Sequence, residues 1–291
     1  MNYIIENEAV KISVADMGAE LMSLILKSDH TEYLWQGDEK YWAGRATNLF
    51  PICGRLTDGK YIYQGEEYEM VLHGFAKKSI FSVVEQKKDS ITFSLRANEE
   101  TLKIYPFDFE LFITYTLYAN TVRESYRVIN HGLETMYFAL GAHPGFRLPL
   151  EANCSFEDYF IEFAEETPVK ELVMEACYMT DETVPAEMKD GKIIELKHNL
   201  FDNDAVFMQD ISKRVTLKAK NGKKSVTLYY PDMKYLGLWH KPKTSAPYVC
   251  IEPWLSVPAY YQKVDDLETK RDMLLLEAGE SYETYIEITL A

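Results

Sequence analysis

Apolar and polar residues alternate along much of the chain, which is the pattern of a β-strand with one buried face. Three segments, 91–95, 109–117 and 282–290, show it most clearly. We expect the alternate residues of each segment to share a buried face: Ile91, Phe93 and Leu95; Phe109, Leu111, Ile113, Tyr115 and Leu117; and Tyr282, Thr284, Ile286, Ile288 and Leu290.

Turn sequences such as Gln64-Gly65 and Asn221-Gly222 separate the predicted strands at short intervals. Regular short strands with turns between them indicate a sandwich or barrel, and a βαβ rhythm is missing. Helices are predicted only at residues 98–105, before Pro106, and at 264–271. The fold class is therefore all-β and antiparallel, with residues 1–291 forming a single domain.

Composition and charge exclude several classes of protein. The chain has 31 Lys plus Arg against 46 Asp plus Glu, a net charge of −15, so nucleic-acid binding is not expected. No run reaches the roughly 18 apolar residues of a membrane span. The four cysteines lack C-x-x-C spacing, and the first residues lack a basic start before an apolar stretch. We expect a cytoplasmic protein with reduced thiols, either monomer or homodimer.

A first candidate for chemistry is His143, in the sequence GAHPGF at 141–146. Pro144 keeps the histidine out of the helical region, and the flanking glycines allow bends or the close approach of a ligand. This predicts a histidine fixed at the end of a strand. A histidine with a structural role in a tight turn is the alternative.

A second candidate is Glu252, in YVCIEPW at 248–254. Alternation puts Val249 and Ile251 on one face, and Tyr248, Cys250 and Glu252 on the other, so the carboxylate is expected to end a strand that is apolar on both faces. Partial desolvation would raise its pKa toward the range of a general base. An exposed glutamate at a strand end is the alternative.

Other polar residues follow apolar stretches and are candidates for binding. They are Arg55 after Gly54, His73 and Lys77 in LHGFAKK, and one of Asp202, Asp204 and Asp210. Each has a structural alternative, as the end of a strand or as part of a turn. We interpret Trp239 as a core residue, and His30, His131, His198 and His240 as surface residues.

The sequence lacks the common motifs for metals, phosphates and activated nucleophiles. H-E-x-x-H, G-x-S-x-G, G-x-x-x-x-G-K-[ST] and G-x-G-x-x-G are absent. We therefore expect no metal and no cofactor.

Five segments, in this order along the chain, resemble the motifs of the aldose 1-epimerase (mutarotase) family, particularly its short LacX-type branch. They are NLFPICGRL, LHGFAK, GAHPGF, FDNDA and CIEPW. The resemblance implies an antiparallel β-supersandwich and an isomerase that interconverts the α and β anomers of a free hexose such as galactose or glucose. It makes His143 the general acid and Glu252 the general base. Arg55, His73 and Asp204 match positions that hold sugar hydroxyls.

Two departures from the family pattern bear on the substrate. Galactose-specific members carry a longer, asparagine-containing segment around the arginine, and phosphate-handling relatives usually show an arginine where this chain has Lys77. The first alternative is thus a hexose-6-phosphate 1-epimerase, in which Lys77 with Arg45 or Arg55 binds the phosphate. Others are a non-catalytic sugar-binding protein and a glycoside hydrolase that uses Asp204 and Glu252.

Overall fold

The computed structural model describes all residues from 1 to 291, and strands make up most of its regular structure. In chain order the strands are β1 (Asn2–Glu6), β2 (Val10–Ala15), β3 (Leu21–Leu26), β4 (Thr31–Glu32), β5 (Ala46–Leu49), β6 (Lys60–Tyr63), β7 (Glu66–Glu69), β8 (Ser82–Gln86), β9 (Ser90–Arg96), β10 (Phe109–Tyr118), β11 (Thr121–Asn130), β12 (Met136–Phe138), β13 (Gly141–Arg147), β14 (Tyr159–Phe163), β15 (Lys170–Glu175), β16 (Tyr178–Pro185), β17 (Ile193–Glu195), β18 (Val206–Gln209), β19 (Arg214–Ala219), β20 (Ser225–Tyr229), β21 (Tyr235–Trp239), β22 (Tyr248–Trp254), β23 (Asp265–Asp266), β24 (Leu274–Leu276) and β25 (Ser281–Leu290).

Two large sheets face each other. One has nine strands in the order β17-β14-β19-β20-β25-β11-β10-β9-β8, and the other has seven in the order β16-β15-β18-β21-β22-β13-β5. A buried hydrogen bond joins them, in which the hydroxyl of Tyr126 on β11 donates to Oδ1 of Asn48 on β5 over 2.9 Å. Smaller sheets of four, three and two strands, β1-β2-β3-β4, β23-β6-β7 and β12-β24, complete the fold.

The predicted alternation is confirmed in the nine-stranded sheet. On β10, every second residue from Phe109 to Leu117 is buried while the residues between them are partly exposed. The alternate residues of β9 are buried in the same way, as are those of β25 from Thr284 onward. Apart from Thr284, these residues belong to one cluster of 77 buried apolar residues.

Helical structure is scarce, as the sequence predicts. The first predicted helix is confirmed as α1 (Glu99–Ile104). The side chain of Asn98 caps its N-terminus by accepting from the backbone N–H groups of Glu100 and Thr101. Four short 3₁₀ helices span Thr57–Gly59, Ala76–Lys78, Phe156–Asp158 and His198–Phe201. None of these helices has the length and hydropathy needed to cross a membrane.

The helix predicted at residues 264–271 is wrong. Asp265 and Asp266 form the short strand β23 beside β6, and the side chain of Asp266 then accepts from the backbone N–H of Glu268 in a turn. The buried ammonium of Lys270 lies 3.1 Å from the carboxylate of Asp265. The pairing of β23 with β6, the turn and the buried ion pair all require a non-helical backbone, and they replace the predicted helix.

A buried carboxyl group lies between the two large sheets. Glu124 on β11 is buried, and the hydroxyl of Tyr115 donates to its Oε1 over 2.5 Å. The amide of Asn48 lies in the same cluster and donates to the carbonyl oxygens of Gly18 and Ala19. Burial raises the pKa of Glu124 to about 7, although hydrogen bonds from its neighbours oppose the shift.

Candidate active site

The middle of the seven-stranded sheet brings two distant candidates together. Strands β13 and β22 are antiparallel neighbours, and Gly145 pairs with Cys250. Continuing that register by two residues along each strand places His143 opposite Glu252. The fold therefore makes neighbours of two residues that are far apart in the sequence.

The prediction that these two residues end their strands is wrong. Strand β13 continues to Arg147 and β22 to Trp254, so both candidates lie inside their strands. Pro144 and Pro253 nevertheless interrupt the hydrogen bonding between the strands, because proline has no backbone N–H to donate. The backbone pairs recorded between β13 and β22 flank this stretch on both sides.

The side chains of this pair are in direct contact. Nε2 of His143 lies 3.2 Å from Oε2 of Glu252. Only 7% of the surface of His143 and 2% of that of Glu252 is exposed. Nδ1 of the imidazole and Oε1 of the carboxyl group are buried without a hydrogen-bond partner in the protein. Buried polar atoms are normally paired, so these atoms mark a place where polar groups of a ligand fit.

Burial dominates the electrostatics of the pair. It lowers the pKa of His143 below its ordinary value, and Lys77 adds to this shift. It raises the pKa of Glu252 well above its ordinary value, with a further contribution from the negative charge of Asp204. The roles of general base and general acid require an ionised Glu252 and a cationic His143 when the sugar reacts. Desolvation instead favours the uncharged form of each group, because burial penalises charge.

Alternation along β22 is as predicted. Val249 and Ile251 belong to the large core, whereas Tyr248 and Cys250 belong to a small cluster on the opposite face of the sheet. Glu252 continues that second face. The chemistry therefore lies on the side of the sheet that points away from the main core.

The two glycines that bracket His143 make room for tryptophans. A Cβ at Gly141 would lie 2.7 Å from the ring of Trp254, and one at Gly145 would lie 3.0 Å from the ring of Trp42. Trp42 in turn packs against the imidazole of His143, with ring centroids 4.8 Å apart. The glycines therefore allow aromatic rings to approach the backbone and form walls around the imidazole.

A pocket of about 290 Å³ opens above this pair. All six residues selected from the sequence line it: His143, Glu252, Arg55, His73, Asp204 and Lys77. Aromatic rings of Trp42, Trp239 and Trp254 supply much of the remaining wall. A pocket with apolar walls and a few convergent polar groups is typical of a small-molecule site.

His73 is held in one orientation by a backbone hydrogen bond. Its Nδ1 accepts from the N–H of Gly54 over 3.1 Å, so a neutral ring carries its proton on Nε2. Burial lowers the pKa of His73 well below its ordinary value, and the nearby His143 adds to the shift. Gly74 follows at φ +71°, and a Cβ there would lie 2.1 Å from the carbonyl oxygen of Phe50. A glycine is thus required directly after this histidine.

Two cations, Arg55 and Lys77, also line the pocket. Neither forms an ion pair with an acidic residue of the chain. Burial lowers the pKa of Lys77 to about 8, and the charge of Lys78 adds to the shift. Arg45 lies outside the pocket lining, and its guanidinium group donates to Met22 O and the side chain of Gln36. Arg55, rather than Arg45, is therefore the arginine that lines the pocket beside Lys77.

Of the three aspartates considered, Asp204 lines the pocket and the other two do not. Its two carboxylate oxygens each accept a hydrogen bond: Oδ1 from the indole N–H of Trp239 and Oδ2 from the thiol of Cys177, both over 2.7 Å. Asp210 instead lies 3.1 Å from the ammonium of Lys170 on the surface. Asp204 is thus fixed in orientation before any ligand binds.

Sequence reasoning missed several residues of the pocket. Trp239 was expected in the core, but it lies beside Cys250 on the pocket face of the sheet, as the alternation of YLGLW indicates in retrospect. Trp42 and Cys177 come from loops that carry no periodic signal. His240 was expected on the surface and is fully buried, because it packs against Phe201.

One group of side chains could hold a metal ion. The ligand atoms of His143, Cys250 and Glu252 all lie within 4.8 Å of one another, and all three residues are buried. Imidazole, thiolate and carboxylate are ligands that zinc accepts. The same atoms also suffice for proton transfer without a metal.

Comparison with known proteins gives consistent relatives along the whole chain. The sequence profile of the family described as Aldose 1-epimerase matches residues 1–289. The plasmid-encoded protein LacX of Lactococcus lactis subsp. lactis is 33% identical over 279 residues, which cover 93% of each chain.

Solved structures agree with this match. A galactose mutarotase related enzyme from Lactobacillus acidophilus is 35% identical, with a TM-score of 0.93 over 100% of this chain and 97% of that one. A galactose mutarotase-like protein from Lactobacillus casei ATCC 334 is 31% identical, with a TM-score of 0.95 over 100% of both. The expected all-β supersandwich is confirmed.

Proposed function

The chain belongs to the aldose 1-epimerase family, and from that premise we propose that it interconverts the α and β anomers of a free hexose such as glucose or galactose. The observation that carries the proposal is the contact between His143 and Glu252 at the base of the pocket. A general acid and a general base that touch in a pocket with a few convergent polar groups are what the opening of a pyranose ring requires.

The reaction moves two protons at adjacent oxygens. Glu252 removes the proton from the C1 hydroxyl while His143 delivers a proton to the ring oxygen, and the bond between C1 and the ring oxygen breaks to give an aldehyde. Rotation about C1–C2 and the reverse proton transfers close the ring as the other anomer. Both oxygens are bonded to C1, so the acid and the base have to lie close together. The distance of 3.2 Å between Nε2 of His143 and Oε2 of Glu252 meets this requirement.

The protonation of the pair follows from this cycle. With one proton between them, the groups exist either as carboxylate and imidazolium or as carboxylic acid and imidazole, and ring opening converts the first form into the second. Burial favours the second form because it carries no charge. Once the ion pair has formed, desolvation of Glu252 and His143 therefore favours the transfers that open the ring and opposes those that close it.

The remaining polar residues of the pocket suit the sugar hydroxyls. His73 donates through Nε2–H, Arg55 donates through its guanidinium group, and the carboxylate of Asp204 accepts. Trp42 and Trp239 offer flat apolar surface to the carbon face of a pyranose. This division of donors, acceptors and aromatic surface supports a neutral monosaccharide as substrate.

Polarimetry tests the proposal. Addition of the protein to freshly dissolved α-glucose or α-galactose should accelerate the approach to the equilibrium rotation, in proportion to protein concentration. An unchanged rate with both sugars and with glucose 6-phosphate would contradict an epimerase function. Binding of a sugar without any acceleration would identify the protein as a sugar-binding protein.

A hexose-6-phosphate 1-epimerase is the second candidate, because Arg55 and Lys77 line the pocket without acidic partners. Free cations of this kind bind phosphate, Lys77 as a point charge and Arg55 through its planar fork. Rates with glucose and glucose 6-phosphate, compared at equal concentration, separate the two functions. A kcat/KM that is at least ten-fold higher for the phosphorylated sugar would favour this second candidate.

A further inference from the structure

One wall of the pocket is formed by the tip of a β-hairpin. Strands β15 and β16 are joined by the two-residue turn Ala176-Cys177, in which both residues have positive φ, 49° and 67°. Such turns give a tight hairpin whose twist matches that of its strands. The turn carries Cys177 to the lining of the pocket.

The hairpin is fixed against the loop that follows β22. The backbone N–H of Met179 donates to Ala259 O and its carbonyl accepts from the N–H of Tyr261, both over 2.9 Å. The ring of Tyr178 lies 5.9 Å from the guanidinium carbon of Arg55. Cys177 is therefore delivered by a segment with defined contacts, next to two of the proposed sugar-binding residues.

The contact made by Cys177 completes the support of Asp204. The thiol donates to Oδ2 and the indole N–H of Trp239 donates to Oδ1. One donor from the hairpin turn and one from β21 thus hold the two carboxylate oxygens. Asp204 itself has φ 84°, in a region that non-glycine residues seldom adopt. Each carboxylate oxygen keeps a second acceptor position, which is available to a sugar hydroxyl.

We propose that Cys177 is a positioning residue: its S–H group holds the Asp204 carboxylate in the orientation that accepts from the sugar, so the β15–β16 hairpin takes part in substrate recognition. This inference rests on the proposed function for its sugar, but the contact between thiol and carboxylate can be tested separately. Burial, followed by the hydrogen bond to Asp204, raises the pKa of Cys177 to about 11. The thiol consequently remains a protonated donor at neutral pH, rather than a thiolate nucleophile.

Kinetics of three variants test the role of the donor. Cys177→Ala removes the S–H group and should raise KM about five-fold with little change in kcat, because one hydrogen bond contributes roughly 1 kcal/mol. Cys177→Ser keeps a donor and should restore most of the affinity. Cys154→Ala, at a partly exposed thiol outside the pocket, is the matched control. A wild-type KM in Cys177→Ala, or equal losses in the alanine and serine variants, would overturn the proposal.

Thiol alkylation tests the contact without any sugar. In a Cys154→Ala background the other two thiols, Cys53 and Cys250, are buried, so iodoacetamide should label Cys177. Adding Asp204→Asn removes the negative charge that raises the pKa of the thiol and should increase the labelling rate several-fold, as followed by peptide mass spectrometry. An unchanged rate would refute the contact and with it the proposal, whether or not the protein epimerises a sugar. A protein that shows the faster labelling but epimerises no hexose would keep the contact and lose the proposed function.

Discussion

The Nε2 atom of His143 lies 3.2 Å from Oε2 of Glu252, on a neighbouring strand, and both side chains are almost wholly buried. Pro144 lies opposite Ile251 and Pro253 opposite Ala142, and because neither proline has a backbone N–H to donate, the two strands do not close their hydrogen-bond ladder at this point. A donor and an acceptor of protons are thereby held together at the base of a pocket, with no backbone hydrogen bond between them.

Loss of either member of this pair should abolish catalysis. His143→Asn and Glu252→Gln each keep the approximate shape of the side chain and remove its ability to exchange a proton. We expect the enzymatic rate of anomer interconversion to fall by about 10² to 10⁴, the usual contribution of one acid or base. Polarimetry with fresh α-glucose or α-galactose measures the rate, and circular dichroism verifies the fold.

The chain offers a matched control for these substitutions. His131 and Glu110 form a second contact between an imidazole and a carboxylate, 2.9 Å apart and outside the pocket. His131→Asn removes the same chemical group and should leave the rate unchanged. Full activity in His143→Asn or Glu252→Gln would reject the assigned roles.

The pH dependence of kcat/KM should reflect the burial of the pair. Activity requires one proton shared by His143 and Glu252. Because burial lowers the pKa of the imidazole, a second proton should bind, and activity should be lost, only at a pH below the ordinary histidine value of about 6.5. Because burial raises the pKa of Glu252, the shared proton should be lost only well above the ordinary pKa of a glutamic acid.

A pH series of polarimetric rates, corrected for the uncatalysed reaction in the same buffers, provides the measurement. The value of kcat/KM should stay flat as the pH is lowered from 7 through 6.5. An inflection at the ordinary histidine pKa would show that His143 titrates as an exposed imidazole, which contradicts its buried contact with Glu252.

Much of the fold could be predicted because its strands alternate. The burial of β10 and β25 follows directly from the period of two in their sequences. The region after Val264 could not be predicted, since the ion pair between Lys270 and Asp265 depends on a neighbouring strand that is distant in the sequence. Local pattern determines an element only where long-range contacts agree with it.

Some residues of the pocket could be predicted from the sequence and others could not. His143 is identifiable because glycines and a proline surround it, and Glu252 because it follows an apolar strand and precedes Pro253, although neither residue ends its strand. Trp42 and Cys177 had no such signal, because a loop tip gains its place in a pocket only when the sheets assemble. Polar residues beside turn formers could be selected from the sequence, and the groups that orient them could not.

Lys77 should contribute to substrate binding through its charge. Lys77→Met keeps the aliphatic stem and should raise KM for glucose about ten-fold, because a hydrogen bond from a charged donor contributes roughly 1.5 kcal/mol. The wild-type KM should rise in the same direction above pH 8, where Lys77 loses its proton. Lys78→Met, at the exposed neighbouring position, is the matched control. A loss confined to glucose 6-phosphate would contradict the free-hexose proposal and favour the phosphorylated substrate.

Glu124 makes the stability of the fold depend on pH. Its pKa is about 7 in the folded protein, against an ordinary value of 4.5, so the folded state binds the proton more tightly. Stability from this group is fully present below pH 4.5 and is lost as the pH rises through 7. The shift corresponds to about 3 kcal/mol of the free energy of unfolding.

Replacing the carboxyl group with an amide should remove this pH dependence. Glu124→Gln keeps an oxygen that can accept from the hydroxyl of Tyr115 but cannot ionise. Urea unfolding at pH 5 and pH 8 should show a loss of stability for the wild type that is about 2.5 kcal/mol larger than the loss for the variant. Glu99→Gln, at an exposed position on α1, should behave like the wild type. Equal losses in Glu124→Gln and the wild type would mean that Glu124 does not take up a proton on folding, which contradicts its raised pKa.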